Sequence, residues 1–205
     1  MMTERTPASP SAAFPGVEEL LSIRDEQLVR RFQAGEGRVF RLIYEKFRNQ
    51  VFRVAGYYLR NQADAEDVTQ EVFLKGFAQL SRFQAGANLS LWFHRITVST
   101  SIDALRKRKR RARWVWDDPA RGGSRVIPPR ETGPREARSD EVSLEVAEIV
   151  SRLAEPWRTA LVLRDLEGLE YEQVAAVLGD PVATARWRVF EARKKFKGEW
   201  LRQGG

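Results

Sequence analysis

The stretch DDPARGGSRVIPPRETGPREARSD, residues 117–140, constrains the fold more than any other part of the chain. It is rich in Pro, Gly and charge, and its apolar residues recur at neither the helical nor the strand period, so it has no face to bury. Taken together with residues 114–116 it reads as a linker over 114–140. Any hydrophobic core must then be built on either side, in residues 18–113 and 141–205, with residues 1–17 expected to form a disordered tail. Fully extended at about 3.4 Å per residue, a tether of roughly 27 residues reaches roughly 90 Å.

Both flanking stretches carry helical periodicity. From Val39 to Tyr58 the residues Phe40, Ile43, Tyr44, Phe47, Val51, Val54, Ala55 and Tyr58 recur at steps of three and four, which lays out one face of a long amphipathic helix. A shorter helix is expected at Asp25 to Gln33, with Leu28 and Phe32 on one side and Gly35 and Gly37 ending it. A third, from Asp64 to Leu80, presents Val68, Val72, Phe73, Phe77 and Leu80. A fourth, from about Ser90 to Arg111, presents Trp92, Ile96 and Ile102. Beyond the linker, helices are expected through Leu153, over Arg158–Leu166 and Glu170–Leu178, and from Val182 to about Leu201. No strand pattern competes, so the fold class is all-α: two small helical domains, a four-helix bundle and a helix-turn-helix, joined by a flexible linker.

The chemistry that such a chain can carry is narrow. There is no cysteine among the 205 residues and a single histidine, His94, which removes disulfides, thiol chemistry and almost every zinc arrangement. The sequence implies no cofactor. A helical nuclease using His94 and Asp103 is one enzymatic reading, but no carboxylate cluster stands beside His94, which reads as an imidazole on a helix surface. No run of about twenty apolar residues is present, and the N-terminus lacks an export signal, so no membrane insertion is expected and the protein is expected in the cytoplasm.

What the chain does have is locally concentrated positive charge. The formal charge is +7, and seven of the eight positions from Arg106 to Arg113 are basic. Farther on, LEYEQVAAVLGDPVATARWRVFEARKK contains a short helix, a Gly179-Asp180-Pro181 break and a second, basic helix, which is the pattern of a DNA-binding helix-turn-helix. Val174, Ala175, Leu178, Val182 and Val189 would hold its two helices together. Arg186, Trp187, Arg188, Arg193, Lys194 and Lys195 remain for groove and phosphates. An ordinary helical hairpin with a solvated basic face is the alternative, and no strand platform or RNA module is present.

The stretch NQADAEDVTQEVFLKGFAQLSRFQAGANLSLWFHRITVSTSIDALRKRKRR closely resembles region two of the extracytoplasmic-function group of bacterial RNA polymerase sigma factors. The matching positions are Asp64, Ala65, Glu66, Asp67, Gln70, Glu71, Val72 and Phe73, then Phe83, then Trp92, Arg95, Ile96, Ile102, Asp103 and Arg106. LAEPWRTALVLRDLEGLEYEQVAAVLGDP is similar to region four of the same group, and the two matches cover nearly all of residues 25–202.

The resemblance implies a sigma factor, not an enzyme. It would bind core RNA polymerase, recognise minus-thirty-five and minus-ten promoter DNA and be held by an anti-sigma factor. It places polymerase contact on Asp64, Glu66, Asp67, Gln70, Glu71 and Phe73. On the residues themselves, Asp64 could equally cap the helix, with Glu66 and Asp67 favouring its positive end. The resemblance assigns minus-ten DNA to Phe83, Gln84, Gly86, Ala87, Asn88, Arg95, Ser99, Arg106 and Arg110, against the plainer reading of a loop capped by Asn88 or Ser90 with Phe83 and Trp92 in the core. Minus-thirty-five DNA falls to Thr184, Arg186, Trp187, Arg188, Phe190, Arg193 and Lys194.

The sequence departs from the family pattern at Gln84-Ala85, where Arg-Gly is usual, at Ser99, where Asn is usual, and at Ala183, Trp187 and Glu191. Trp187 is expected to point outward, because it cannot share the core face of Val182 and Val189; folding down against neighbouring helices is the other placement. Trp114 and Trp116 are candidate anchors for the start of the linker. A polymerase-independent helix-turn-helix regulator is the alternative function, but it leaves the acidic patch and the flanked loop unexplained.

Overall fold

The computed structural model describes residues 23–84, 86–116 and 141–202, with backbone only for 111–116 and 141–144. The proposed tail, most of the proposed linker and the side chains of Trp114 and Trp116 lie outside the described residues. Among those described, every regular element is a helix.

The first unit holds α1 (Asp25–Gln33), α2 (Val39–Leu59), α3 (Gln62–Leu80) and α4 (Leu89–Trp116). Acidic Asp25 and Glu26 at the start of α1 and basic Arg30 and Arg31 at its end complement the helix dipole, and Gly35 at φ 95° follows it. Helix α2 buries Val39, Ile43, Phe47, Val51, Val54, Ala55, Tyr58 and Leu59 along one face. It stops at Arg60, whose left-handed φ of 57° closes an αL cap onto the Gly56 carbonyl. The cap of α3 is Asn61 rather than Asp64: its side-chain oxygen accepts from the Asp64 N–H at 3.1 Å. Phe40, Phe47, Phe73 and Phe93 knit α2, α3 and α4 through edge-to-face, tilted and stacked contacts. A Cβ on Gly76 would meet the Phe93 ring at 3.2 Å, so glycine sets how closely α3 and α4 approach. Phe77, expected in the core, is instead 52% exposed, at the edge of the Phe32 and Phe40 rings. Helix α4 runs to Trp116, five residues past its expected end at about Arg111 and into the proposed linker, and at 1.5 Å per residue its 28 residues span about 42 Å.

The second unit holds α5 (Glu141–Arg152), α6 (Glu155–Leu161) with a wide π turn at Val162–Leu166, α7 (Tyr171–Leu178) and α8 (Val182–Arg202). A capping box starts α7: the Glu170 side chain accepts from the Gln173 N–H, and the Gln173 side chain accepts from the Glu170 N–H at 2.8 Å. Gly179 at φ 72° makes the turn into α8. Val174, Ala175, Ala185, Val189 and Ala192 are buried between α7, α8 and their neighbours, as a helix-turn-helix requires, while Leu178 and Val182 are half-buried.

The two units are packed against each other, which the linker pattern did not indicate. Helix α4 meets α7, helix α2 meets α5, and one continuous apolar cluster runs from Leu28 through Val98 to Val174 and Ala192. At the junction the buried Tyr58 hydroxyl donates to Thr159 Oγ1 at 2.8 Å, and Thr159 donates in turn to the Glu155 carbonyl at 2.9 Å. Burial pushes the Tyr58 phenol well above its ordinary pKa. Arg158 lies over the Tyr58 ring and donates to the Ser151 and Leu153 carbonyls at the end of α5.

Candidate nucleic-acid and polymerase interfaces

Helix α3 carries the acidic surface. Asp67, Gln70, Leu74 and Phe77 follow at steps of three, four and three, so they share one exposed face, with Glu71 at its margin. Leu74 is 72% exposed; neither it nor Phe77 was singled out by the motif, whose matched positions stop at Phe73. The resemblance placed Phe73 in the contact set, but its ring is 5% exposed, between Phe40, Tyr44 and Phe93, so it supports the helix from inside and cannot itself touch a partner. The other carboxylates are partly engaged within the chain. Asp64 meets Arg108 at 3.4 Å, Glu71 meets Lys75 at 2.8 Å, and Glu66 accepts from Gln62 at 2.9 Å. Asp64, Asp67 and Glu71 line a groove whose opposite wall is Lys107 and Arg108 on α4, so acidic and basic surfaces adjoin.

The loop between α3 and α4 is held at both ends. Gln33 donates its side-chain N–H groups toward the Leu80 and Phe83 carbonyls, at 3.3 and 2.8 Å, pinning the loop's entry to α1. Asn88 caps α4 by accepting from the Leu91 N–H at 3.0 Å. Phe83 is half-buried edge-on to Trp92 at 5.2 Å, while Gln84, Gly86, Ala87 and Asn88 are exposed. Beneath the loop a small hollow is lined by Val29, Arg30 and Gln33 of α1 with Phe83, Gly86 and Ala87. Along α4, Arg95, Ser99, Arg106 and Arg110 fall on one exposed stripe about 22 Å long, at 1.5 Å of rise per residue. Arg106 also reaches Glu155 of the second unit at 3.3 Å.

On α8 the residues Trp187, Phe190 and Lys194 lie about 100° per residue around the helix from, and opposite to, the buried Ala185, Val189 and Ala192. The outward face is therefore aromatic as well as basic. Trp187 is 55% exposed and still meets Trp157 edge-on at 5.2 Å, so it combines the two placements expected for it. Several cations of this surface are already paired. Arg188 meets Asp180 at 2.9 Å, and Arg193 forks onto Asp165 at 2.9 and 2.5 Å, which holds its pKa above the ordinary value. Arg186 lies 3.6 Å from Glu172 and over the Tyr171 ring. Thr184 is half-buried.

His94 is not a surface residue. It is 3% exposed, and Nδ1 lies 3.0 Å from the Gln50 amide nitrogen while Nε2 lies 3.4 Å from Glu167. With its proton on Nε2 the imidazole donates to Glu167 and accepts from Gln50; with the proton on Nδ1 it donates instead to the Ser90 carbonyl, 2.9 Å away. Asp103, its partner in the nuclease reading, is nine residues farther along α4, about 13 Å of rise away, and faces solvent beside Arg106. The structure therefore does not bring the pair together.

Glu167 is the functional candidate that the sequence did not reveal. Its side chain, in the second unit, is 2% exposed, yet both oxygens are bound from the first unit: Arg53 donates through Nε at 2.8 Å and through Nη2 at 2.7 Å. Burial pushes the Glu167 carboxyl up, but the hydrogen bonds and charges of Arg53 and His94 outweigh it and leave its pKa below the ordinary value. Residues 53, 94 and 167 share no local motif.

Comparisons with known proteins agree with the order of these surfaces along the chain. Residues 43–111 match the family model for Sigma-70 region 2, and residues 143–196 match that for Sigma-70 region 4. The chain is 33% identical over 175 residues to the RNA polymerase sigma-H factor of Pseudomonas aeruginosa, covering 83% of this chain and 91% of that one. It is 31% identical over 180 residues to the ECF RNA polymerase sigma-E factor of Escherichia coli, covering 84% and 92%. Among solved structures, CnrH in complex with the cytosolic domain of CnrY shares the fold at a TM-score of 0.65 and 22% identity, over 88% of this chain and 99% of that one. The sigma factor RpoE in complex with the anti-sigma factor NepR from Bartonella quintana does so at 0.64 and 23%, over 81% and 98%. With both regions matched in order, and with likeness to two such relatives along most of its length, the chain belongs to the extracytoplasmic-function group of RNA polymerase sigma factors and is an alternative sigma factor that initiates transcription.

Proposed function

We propose that residues 18–113 bind core polymerase and the minus-ten element, that residues 114–140 tether the units, and that residues 141–205 read the minus-thirty-five element. The observation that carries this division is the separation of three exposed surfaces onto three helices. Asp67, Gln70, Glu71, Leu74 and Phe77 on α3 offer carboxylates and apolar side chains suited to a protein partner. Arg95, Ser99, Arg106 and Arg110 on α4, with the Phe83–Asn88 loop at its start, suit a nucleic-acid backbone and an unstacked base. Arg186, Trp187, Phe190 and Lys194 on α8 suit a major groove, with Trp187 placed for apolar contact to a thymine methyl. The protein acts without catalytic chemistry of its own, in the cytoplasm, and is held by an anti-sigma factor. In support, no helix among the described residues is long and apolar enough to cross a membrane.

Run-off transcription with core polymerase on a library of promoters tests the reading. Initiation that needs both the chain and the polymerase is the expected result. Full-strength, sequence-specific promoter binding by the free chain would instead support the polymerase-independent regulator.

A further inference from the structure

The outward face of α8 is not built by α8 alone, because α6 reaches it through one side chain. Helix α6 packs along α8, and its Trp157 is half-buried against the core. The Trp157 ring meets the Trp187 ring edge-on, with centroids 5.2 Å apart and planes at 70°. Lys195 of α8 reaches the same Trp157 ring, its ammonium 5.4 Å from the centroid. Trp187, Glu191 and Lys195 follow at steps of four, so they form one ridge of α8. Trp157 therefore packs along that ridge.

At about 100° per residue, Trp187 leaves α8 nearly opposite the buried line of Ala185, Val189 and Ala192, while Glu191 and Lys195 turn toward one flank. A ring projecting straight outward from that position would meet no neighbouring helix. Trp187 does meet one, so it leans toward the Glu191 and Lys195 flank. Phe190 and Arg186 lie on the other flank, where Arg186 is held over a different ring, that of Tyr171 on α7. An edge-to-face contact has a preferred geometry, so an indole anchored in this way has less freedom to lose when a ligand covers the rest of it. With 55% of its surface exposed, Trp187 keeps ample ring for such a ligand. Released from Trp157, the same ring would swing across several base positions and spread its contact over them.

We propose that Trp157 is a positioning residue for promoter reading: it holds Trp187 on one flank of α8, so that the exposed indole meets the methyl group of a single thymine in the minus-thirty-five element. The inference deepens the proposed role of α8 and rests on it. It brings into sequence reading a residue of α6, a helix to which no DNA contact is assigned.

Thymine and uracil pair alike with adenine and differ only in that methyl group, which isolates the contact. The full chain with core polymerase is assayed by run-off transcription, at limiting sigma, on the promoter that the wild type uses best. Each thymine of the minus-thirty-five element, on either strand, is replaced singly by uracil. The wild type should lose about fourfold at one position, the factor expected for one buried methyl group, and little elsewhere. Trp187→Ser should lose that sensitivity. Trp157→Leu and Trp157→Met, which keep apolar bulk without a ring, should lose it as well, and each covers for the other should one fail to fold. Trp157→Phe, which still offers a ring, should retain most of it. On the Trp187→Ser background, Trp157→Leu should leave the uracil ratios unchanged.

A purely structural role for Trp157 would lower Tm and depress activity on every template alike, leaving the thymine-to-uracil ratio at its wild-type value. That outcome overturns the positioning role while the reading by Trp187 stands. A wild type insensitive to uracil at every position, or a Trp187→Ser variant that keeps the wild-type ratio, removes the thymine contact itself and the proposal with it. If the chain supports no polymerase-dependent initiation, the function assigned above fails instead, and the same ratios measured as binding of the chain to the duplex still decide the part played by Trp157.

Discussion

Removing one or the other hydroxyl of the Tyr58–Thr159 pair should have unequal effects, and removing both should partly cancel. Tyr58 is 2% exposed and its hydroxyl donates to Thr159 Oγ1, which in turn donates to the Glu155 carbonyl. In Tyr58→Phe, Thr159 keeps that second bond, so the cost is one net hydrogen bond, about 1 kcal/mol. In Thr159→Val the Tyr58 hydroxyl is left buried without a partner, at about 2 kcal/mol. For a chain of this length, 1 kcal/mol corresponds to about 3 °C in Tm, so the two variants should melt about 3 °C and 6 °C below wild type. Adding Tyr58→Phe to Thr159→Val removes the stranded hydroxyl and should recover about 1 kcal/mol. Thermal melts followed by circular dichroism, with urea titrations as a second measure, give all four corners of the cycle. If Tyr58→Phe lowered stability further on the Thr159→Val background, the asymmetry between a satisfied and a stranded partner would not govern this site.

Acid should open the docked form. The Glu167 pKa is lowered on docking, so its contribution is fully present above the ordinary carboxylate pKa of 4.5 and is lost as the pH falls through the lowered value. The groups facing it are Arg53 and Tyr57 on α2 and His94 on α4, and Glu167→Gln should remove its acid-dependent component from a distance-versus-pH titration. Trp187→Ser should change the preferred minus-thirty-five sequence in a randomised library while lowering Tm by no more than about 3 °C, because the ring is 55% exposed; unchanged preference with a large loss of Tm would make Trp187 a packing residue. Asp67→Arg and Leu74→Asp should each reduce co-purification with core polymerase with helical content kept, and wild-type recovery of both would remove the α3 face from the contact.

Among the described residues the eight helices were legible because each is written locally. Steps of three and four in Val39–Tyr58 mark α2, and Gly35 and Gly179 sit where the chain needs a left-handed residue. The two family regions were legible for the same reason, since their motifs are short and contiguous. Asn61 shows the limit of such local reading. Asp64 and Asn61 are both good capping residues, and only the extended backbone at Asn61, φ −134°, decides between them. Phe77 was misplaced because a three-and-four pattern has an edge: Val72, Gly76 and Leu80 take the buried centre, and the next ring round is left at the margin. The docking of the units was not legible. His94 is ambivalent between surface and core, and nothing in the neighbourhood of residue 53, 94 or 167 indicates the other two. The linker's composition carried no information about whether the units on either side touch.

The 28-residue length of α4 has a consequence for how that helix ends. In its C-terminal part the cations Arg106 and Arg110, Lys107 and Arg111, and Lys109 and Arg113 stand four residues apart. Like charges at that spacing disfavour a helix by about 0.2–0.5 kcal/mol per pair, so three pairs cost about 1 kcal/mol against a helix end that is otherwise favoured by cations. Added salt screens this repulsion, and an aligned row of phosphates replaces it with attraction. The fringe of α4 therefore lengthens or frays with its ionic surroundings, and laying a polyanion along it winds the last turns tighter.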